Sequence, residues 1–209
     1  MFCAFCKEFD EERTADSRII WEDRDFLLLP TKGCLCPGYC LFMPVEHVTS
    51  FAMLPEHDLC NAAYIMEDHR LTLEKVFGKT IMAEHGSGGY CKRGASCCDH
   101  AHLHLIPILG QEEQICDIYK EIGGPPKLLF SLASIKEFAG EPYILLSPEV
   151  GVYWVWTNTD NFRRQFVRWA VARVFGIEEQ YDWREHSFSE NMELTKRLLV
   201  PRMPASVAA

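Results

Sequence analysis

A chain of 209 residues with 48% hydrophobic side chains has enough material for one domain with a sizeable core, or one domain carrying an extension. Its formal net charge of -9 excludes a general phosphate-tracking surface, so neither nucleic acid nor an acidic membrane is an expected partner; a small anionic substrate in a locally positive pocket stays open. No stretch approaches the roughly 20 apolar residues of a membrane span, and MFCAFCKEFDEE lacks the basic and apolar regions of a leader, so a cytoplasmic chain is expected.

The chain opens with a C-x-x-C, Cys3 and Cys6, and other cysteines follow in C-x-C and C-C arrangements, which in a reducing compartment read as metal ligands or plain thiols. Short apolar runs bounded by turn residues predict five strands: 18–21, 25–30, 39–44, 80–85 and 101–107. Between the third and fourth, Pro55 opens a stretch with Leu59, Ala63, Met66, Leu73, Val76 and Phe77 at helical spacing, closed by Gly78. His69 falls on the apolar side of that helix and is expected to be a satisfied buried histidine. Residues 86–98 form a glycine-rich loop.

The loop leads into DHAHLHLIP, residues 99–107. In a strand, side chains alternate between faces, so His100, His102 and His104 share one face while Ala101, Leu103 and Leu105 bury the other. Three imidazoles in a row suit a metal site or a nucleophile with a bare ring nitrogen, against the alternative of solvated histidines. After Pro107 the character changes. Residues 110–127 are polar and end in GGPPK, a plausible boundary; YILLSP and VYWVW read as further strands, and 160–176 as a helix. That helix carries Arg163, Arg164, Arg168 and Arg173, which are expected on the wet face of a core helix rather than as a calmodulin-target or membrane surface. The expected fold is α+β: an antiparallel sheet of about five strands with a packed helix in 1–110, and an α/β extension, 111–209, packed on that core.

The segment His100-Ala-His-Leu-His-Leu-Ile106 resembles the signature of the histidine triad superfamily of nucleotide hydrolases and transferases. The N-terminal C-x-x-C, the run CPGYCLFMPVEHV and the glycine loop are similar to pieces of the same family, over about residues 1–110. The resemblance implies nucleotidyl transfer at an α-phosphate of a dinucleoside polyphosphate, nucleoside phosphoramidate or nucleotide sugar. His102 would be the nucleophile, forming a nucleotidyl-imidazole, with His104 near the leaving group. It further implies a structural zinc held by Cys3, Cys6, His47 and His100, and pairing into homodimers.

The chain departs from the family pattern before the triad, where Ala95-Ser96-Cys97-Cys98-Asp99 leaves Ser96 as the evident phosphate donor, with oxyanion contacts expected from loop N–H groups and from Lys92 or Arg93. Glu84-His85-Gly86 replaces a common Asn-x-Gly, making His85 a candidate acid, base or sugar-binding group. The remaining thiols, Cys34, Cys36, Cys40, Cys91, Cys97 and Cys98, are expected to be reduced cysteines rather than a second metal site. Two rival readings stand beside the nucleotidyl-histidine enzyme: a metallohydrolase with catalytic zinc on the triad, and a zinc-stabilised nucleotide-binding module without turnover. Against the first, residues at i, i+2 and i+4 span about 13 Å in Cα, so the outer two cannot share one tetrahedral ion.

Overall fold

The apolar runs pair in the order their turns permit. In the computed structural model, which describes residues 3–11, 17–89 and 100–203, β1 (Trp21–Glu22) leads into β2 (Phe26–Pro30), which folds back on β3 (Cys40–Pro44) with Leu28 opposite Phe42. After the helix α2 (Glu56–Phe77), β4 (Thr80–Gly86) and the histidine strand β5 (Leu103–Pro107) complete the five expected strands. The extension then adds β6 (Lys127–Leu129), β7 (Tyr143–Glu149) and β8 (Val152–Trp156) to the same sheet. Its order is β1-β2-β3-β5-β4-β7-β8-β6, every neighbouring pair antiparallel. The sheet thus has eight strands, because β7 pairs along the outer edge of β4, Met82 opposite Ser147 and His85 opposite Ile144.

Strand alternation divides the core in two. Leu28, Phe42, Met82, Leu103, Leu105 and Leu145 bury one face against α2, whose Leu59, Met66 and Leu73 recur on one side. Leu29, Leu41, Ala83, Ile106 and Ile144 bury the other, together with Phe5 of α1 (Ala4–Glu11), Ile115 of α3 (Glu112–Gly123) and Phe166 and Ala170 of α4 (Phe166–Val174). This second face carries His102 and His104, so residues beyond 110 roof the candidate site. Among the described residues, no helix is long and apolar enough to cross a membrane.

Several boundaries moved. The strand expected at 18–21 shrinks to Trp21–Glu22, and that at 101–107 begins at Leu103. The cause at the latter is local: the Ala101 N–H donates to the Val48 carbonyl and the His100 ring to the Pro44 carbonyl, which pulls the chain off the ladder. The helix expected over 160–176 starts only at Phe166, because Gln165 takes a left-handed conformation (φ 55°). The polar stretch 110–127, expected to be a boundary, contains α3; Ile115, Ile118 and Tyr119 recur at helical spacing and face the core.

The last helix, α5 (Ser189–Leu199), grips the β2–β3 loop. The Thr195 hydroxyl accepts the Gly38 N–H at 2.8 Å, and Asn191 Nδ2 donates to the Cys34 carbonyl at 2.8 Å. Gly33, at φ 64°, permits the closest approach: a Cβ there would lie 2.7 Å from Trp183 Cβ and 2.8 Å from Arg168 Nη2.

His69 departs from expectation. It is buried as expected, its ring 4.4 Å from that of Trp21, yet neither ring nitrogen has a hydrogen-bond partner. Burial pushes its pKa from 6.5 down to about 4. The folded state therefore binds fewer protons than the unfolded chain between these values, so stability is complete above pH 6.5 and falls as pH drops toward 4, by on the order of 3 kcal/mol. Urea unfolding of wild type and His69→Leu at pH 7 and pH 4.5 should show a smaller acid loss in the variant. Equal losses would remove His69 from the acid response.

Candidate active site and metal centre

Two of the three histidines sit together. The rings of His102 and His104 lie 4.8 Å apart, both buried. His102 Nδ1 donates to the His100 carbonyl at 2.8 Å, which keeps the proton on Nδ1 and leaves Nε2 as the bare nitrogen. His104 Nδ1 lies 2.8 Å from the Tyr39 hydroxyl, so its Nε2 is the nitrogen left for a ligand. Burial lowers the pKa of both rings, His104 well below the ordinary range, with the neighbouring His102 and Arg168 adding to the effect. Both are neutral at pH 7, the form a nucleophile or hydrogen-bonding partner requires.

His100 faces elsewhere. Its Nε2–H donates to the Pro44 carbonyl at 2.8 Å, which turns the unprotonated Nδ1 toward the N-terminal helix. There Nδ1 lies 3.6 Å from both Cys3 Sγ and Cys6 Sγ, while Cys6 Sγ is 3.4 Å from His47 Nδ1. The four ligand atoms all fall within 4.8 Å of one another. A tetrahedral ion with bonds of about 2.3 Å to sulfur and about 2.0 Å to nitrogen sets its S and N ligands about 3.5 Å apart, matching these edges. The carbonyl behind His100 supplies the outer-shell contact that fixes a ligating tautomer. These four residues can hold a metal ion, and among the described residues no other such group occurs.

The helix that brings the two cysteines also walls the site. Phe5 packs 5.8 Å from the His102 ring and 5.9 Å from His100. A pocket opens beside His102 and His104. Phe5, Glu8, Arg18, Lys32, Arg168 and Trp183 contribute to its walls. Arg18 forms an ion pair with Glu8, and Lys32 Nζ lies 3.0 Å from Glu8 Oε2. Burial pushes the Glu8 carboxyl pKa up, but hydrogen bonds and charge from Arg18 and Lys32 outweigh it and hold it below the ordinary value. Glu8 is therefore an ionised carboxylate.

The other sequence candidates divide. His85, on β4, is buried next to His102, its Nε2 without a hydrogen-bond partner, and burial depresses its pKa to about 3. It is not among the residues lining the pocket. Glu84 points to the opposite face, where it accepts hydrogen bonds from the Phe51 N–H and the Tyr143 hydroxyl; burial raises its pKa to about 7. Ser96, Lys92 and Arg93, like Cys91, Cys97 and Cys98, lie outside the described residues. Cys34, Cys36 and Cys40 are buried thiols whose pKa values burial drives up, Cys34 to about 11. Of the four arginines expected on a wet face, Arg163, Arg164 and Arg173 are exposed and Arg168 is buried. Tyr39, Arg18, Lys32 and Arg168 had no motif to announce them.

The site thus joins a buried imidazole with a bare nitrogen, a pocket lined in part by basic side chains, and a separate cluster of two cysteines and two histidines. No protein-family profile matches the chain. No curated relative matches it in sequence. Among solved structures it is similar to a hypothetical histidine triad nucleotide-binding protein from Sulfolobus tokodaii, 20% identical, covering 50% of this chain and 68% of that one, with a TM-score of 0.42. It is also similar to a Hit-like protein involved in cell-cycle regulation from Bartonella henselae, 16% identical, covering 65% of this chain and 95% of that one, with a TM-score of 0.43.

Proposed function

We propose that the protein is a nucleotidyl hydrolase or transferase in which His102 Nε2 attacks an α-phosphorus. The observation that carries this reading is the 2.8 Å bond from His102 Nδ1 to the His100 carbonyl, which leaves the opposite nitrogen bare in a buried ring at the wall of a cationic pocket. In the first step the P–Nε2 bond forms and the bond from phosphorus to the bridging atom breaks, its electron pair leaving with the departing group. The proton on Nδ1 stays in place, and the His100 carbonyl stabilises the positive imidazole. His104 stands beside the leaving group. Water or a second acceptor then attacks phosphorus, the P–N bond breaks, and neutral His102 returns. Substrates of this class are dinucleoside polyphosphates, nucleoside phosphoramidates and nucleotide sugars.

The metal we assign to Cys3, Cys6, His47 and His100 is zinc in a structural role, since two thiolates and two imidazoles close a tetrahedral shell. It would fix α1 against the histidines and take no part in the chemistry. A catalytic metal shared by all three triad histidines is disfavoured, because His100 has its Nδ1 turned to the cysteines and its Nε2 on the Pro44 carbonyl, leaving no nitrogen for a common ion. The reading includes a cytoplasmic setting and a small-molecule partner. Any homodimer has to use a surface other than the edges of β4, both of which are paired.

Acid-free quenching after incubation with mixed nucleotides, followed by intact-mass analysis, should show an adduct of one nucleoside monophosphate that maps to His102 on digestion. Turnover lost to chelator without any adduct would favour the metallohydrolase; binding without turnover would favour the non-catalytic module.

A further inference from the structure

We propose that Tyr39 is a positioning residue: its hydroxyl donates to His104 Nδ1, keeps the His104 proton on Nε2, and so makes that nitrogen a hydrogen-bond donor to the atom leaving phosphorus. The tautomer follows from the geometry of the pair, and its use in catalysis rests on the nucleotidyl-transfer reading above.

The pair is built into the sheet. Tyr39 directly precedes β3, and in the β3–β5 ladder Leu41 lies opposite His104, so Tyr39 is the diagonal neighbour of His104 on the same face. A tyrosine is long enough to span that diagonal. Its hydroxyl lies 2.8 Å from Nδ1, with the two rings 5.7 Å apart and tilted by 58°. The backbone holds it there: the Tyr39 N–H donates to the Cys36 carbonyl at 3.2 Å, and the Tyr39 carbonyl accepts the Thr31 N–H at 3.1 Å. Tyr39 is fully buried, so bulk water does not compete for the bond.

Relative acidity sets the direction of that bond. An imidazole nitrogen is a far better acceptor than a phenol oxygen, and a phenol O–H a better donor than a neutral imidazole N–H, so O–H···N is favoured over N–H···O. Arg168 strengthens the bias. Its guanidinium carbon lies 5.7 Å from the centre of the Tyr39 ring, where a cation draws electron density from the oxygen and makes it a stronger donor. Burial, with the neighbouring His102, Arg168 and His85 adding to it, keeps a second proton off His104.

The two rings then carry opposite tautomers. His102 holds its proton on Nδ1 and offers a bare Nε2 to phosphorus, while His104 offers Nε2–H. Two bare nitrogens would aim two lone pairs at one phosphate; this pairing supplies one attacker and one donor. Negative charge grows on the departing atom in the transition state, and a fixed neutral N–H stabilises it. The proton stays on Nε2 throughout.

Proton–nitrogen correlation spectra of the metal-loaded full chain, labelled with nitrogen-15 at histidine, should show His104 protonated on Nε2 and bare on Nδ1. In Tyr39→Phe the Nδ1–H form should gain population. On the phenyl ester of adenosine monophosphate, whose leaving group is the more basic, kcat of the variant should fall about 30-fold with KM within about twofold. On the p-nitrophenyl ester the fall should stay below about threefold, because its leaving atom needs less stabilisation. A merely structural role of Tyr39 would lower both rates alike. Equal losses on the two esters, or a wild-type His104 protonated on Nδ1, overturn the proposal; the spectrum of the wild type keeps it open to refutation if Tyr39→Phe fails to fold. The two readings fail separately: an adduct on His102 beside an Nδ1–H His104 sinks the role of Tyr39 alone, and the expected tautomer without any nucleotide adduct sinks the nucleophile alone.

Discussion

His102→Gln should reduce nucleotidyl turnover by about 10⁴-fold or more while leaving the fold intact, because it removes the attacking atom and replaces it with a neutral group of similar size. The cluster's outer support, the bond from the His100 ring to the Pro44 carbonyl, does not involve His102 and is kept. His104→Gln should cost less, about 10²- to 10⁴-fold, since a group beside the leaving atom contributes proton transfer or polarisation rather than the bond to phosphorus. The ordering is the discriminating result. Steady-state rates on a panel of dinucleoside polyphosphates, phosphoramidates and nucleotide sugars, with melting temperatures as a control, would check it. Retention of more than a tenth of the activity by His102→Gln would refute the assignment of the nucleophile.

Cys6→Ser is expected to abolish stoichiometric metal binding and to lower the melting temperature by about 10 °C. The size follows from linkage: an ion bound only by the native state, at a free concentration a thousandfold above its Kd, contributes about 4 kcal/mol. In a domain of this length each kcal/mol moves the midpoint by about 2 to 4 °C. Cys6 touches both histidines of the cluster, His47 at 3.4 Å and His100 at 3.6 Å, so its loss opens the shell at its centre. The effect reaches the pocket, because the same helix carries Phe5 and Glu8. Limited proteolysis should then cut within α1. Cys60→Ser, at an exposed cysteine outside the cluster, supplies the control and should change neither metal content nor stability. Elemental analysis giving one metal per chain in Cys6→Ser would defeat the proposed ligand set.

The clustering of the histidines and the C-x-x-C was legible in residue order. Alternation at 100, 102 and 104 places imidazoles on one side of an extended chain whatever its partners, and the C-x-x-C supplies two thiolates at a spacing that a single helical turn brings together. The different orientation of His100 was not legible from the row itself, since it depends on the Pro44 carbonyl, 56 residues away. The cationic pocket was harder still. Arg168 sits in α4, close in sequence to three arginines that do face solvent, and its burial arises because the segment around Trp183 packs over it and over Gly33. No local periodicity encodes that. Lys32 and Arg18 belong to turn and strand-edge segments with no recurring pattern.

The helix α3 was legible and overlooked: Ile115, Ile118 and Tyr119 recur at three and four, but flanking glycines and prolines gave the stretch the look of a linker. The joining of β7 to β4 has a different status. Its strand character shows in YILLSP, whereas its choice of edge is decided by which strand the rest of the sheet leaves unpaired.

That choice has a consequence for engineering. A fragment ending near Gly110 would lose the neighbour of β4 along Met82–Gly86, and with it Ile144 and Leu146 of the apolar core. The exposed ladder would recruit whatever extended peptide it met, including other copies of itself, so a fragment of this kind is expected to aggregate. Attempts to graft this pocket onto another scaffold should carry residues 127–199 with it.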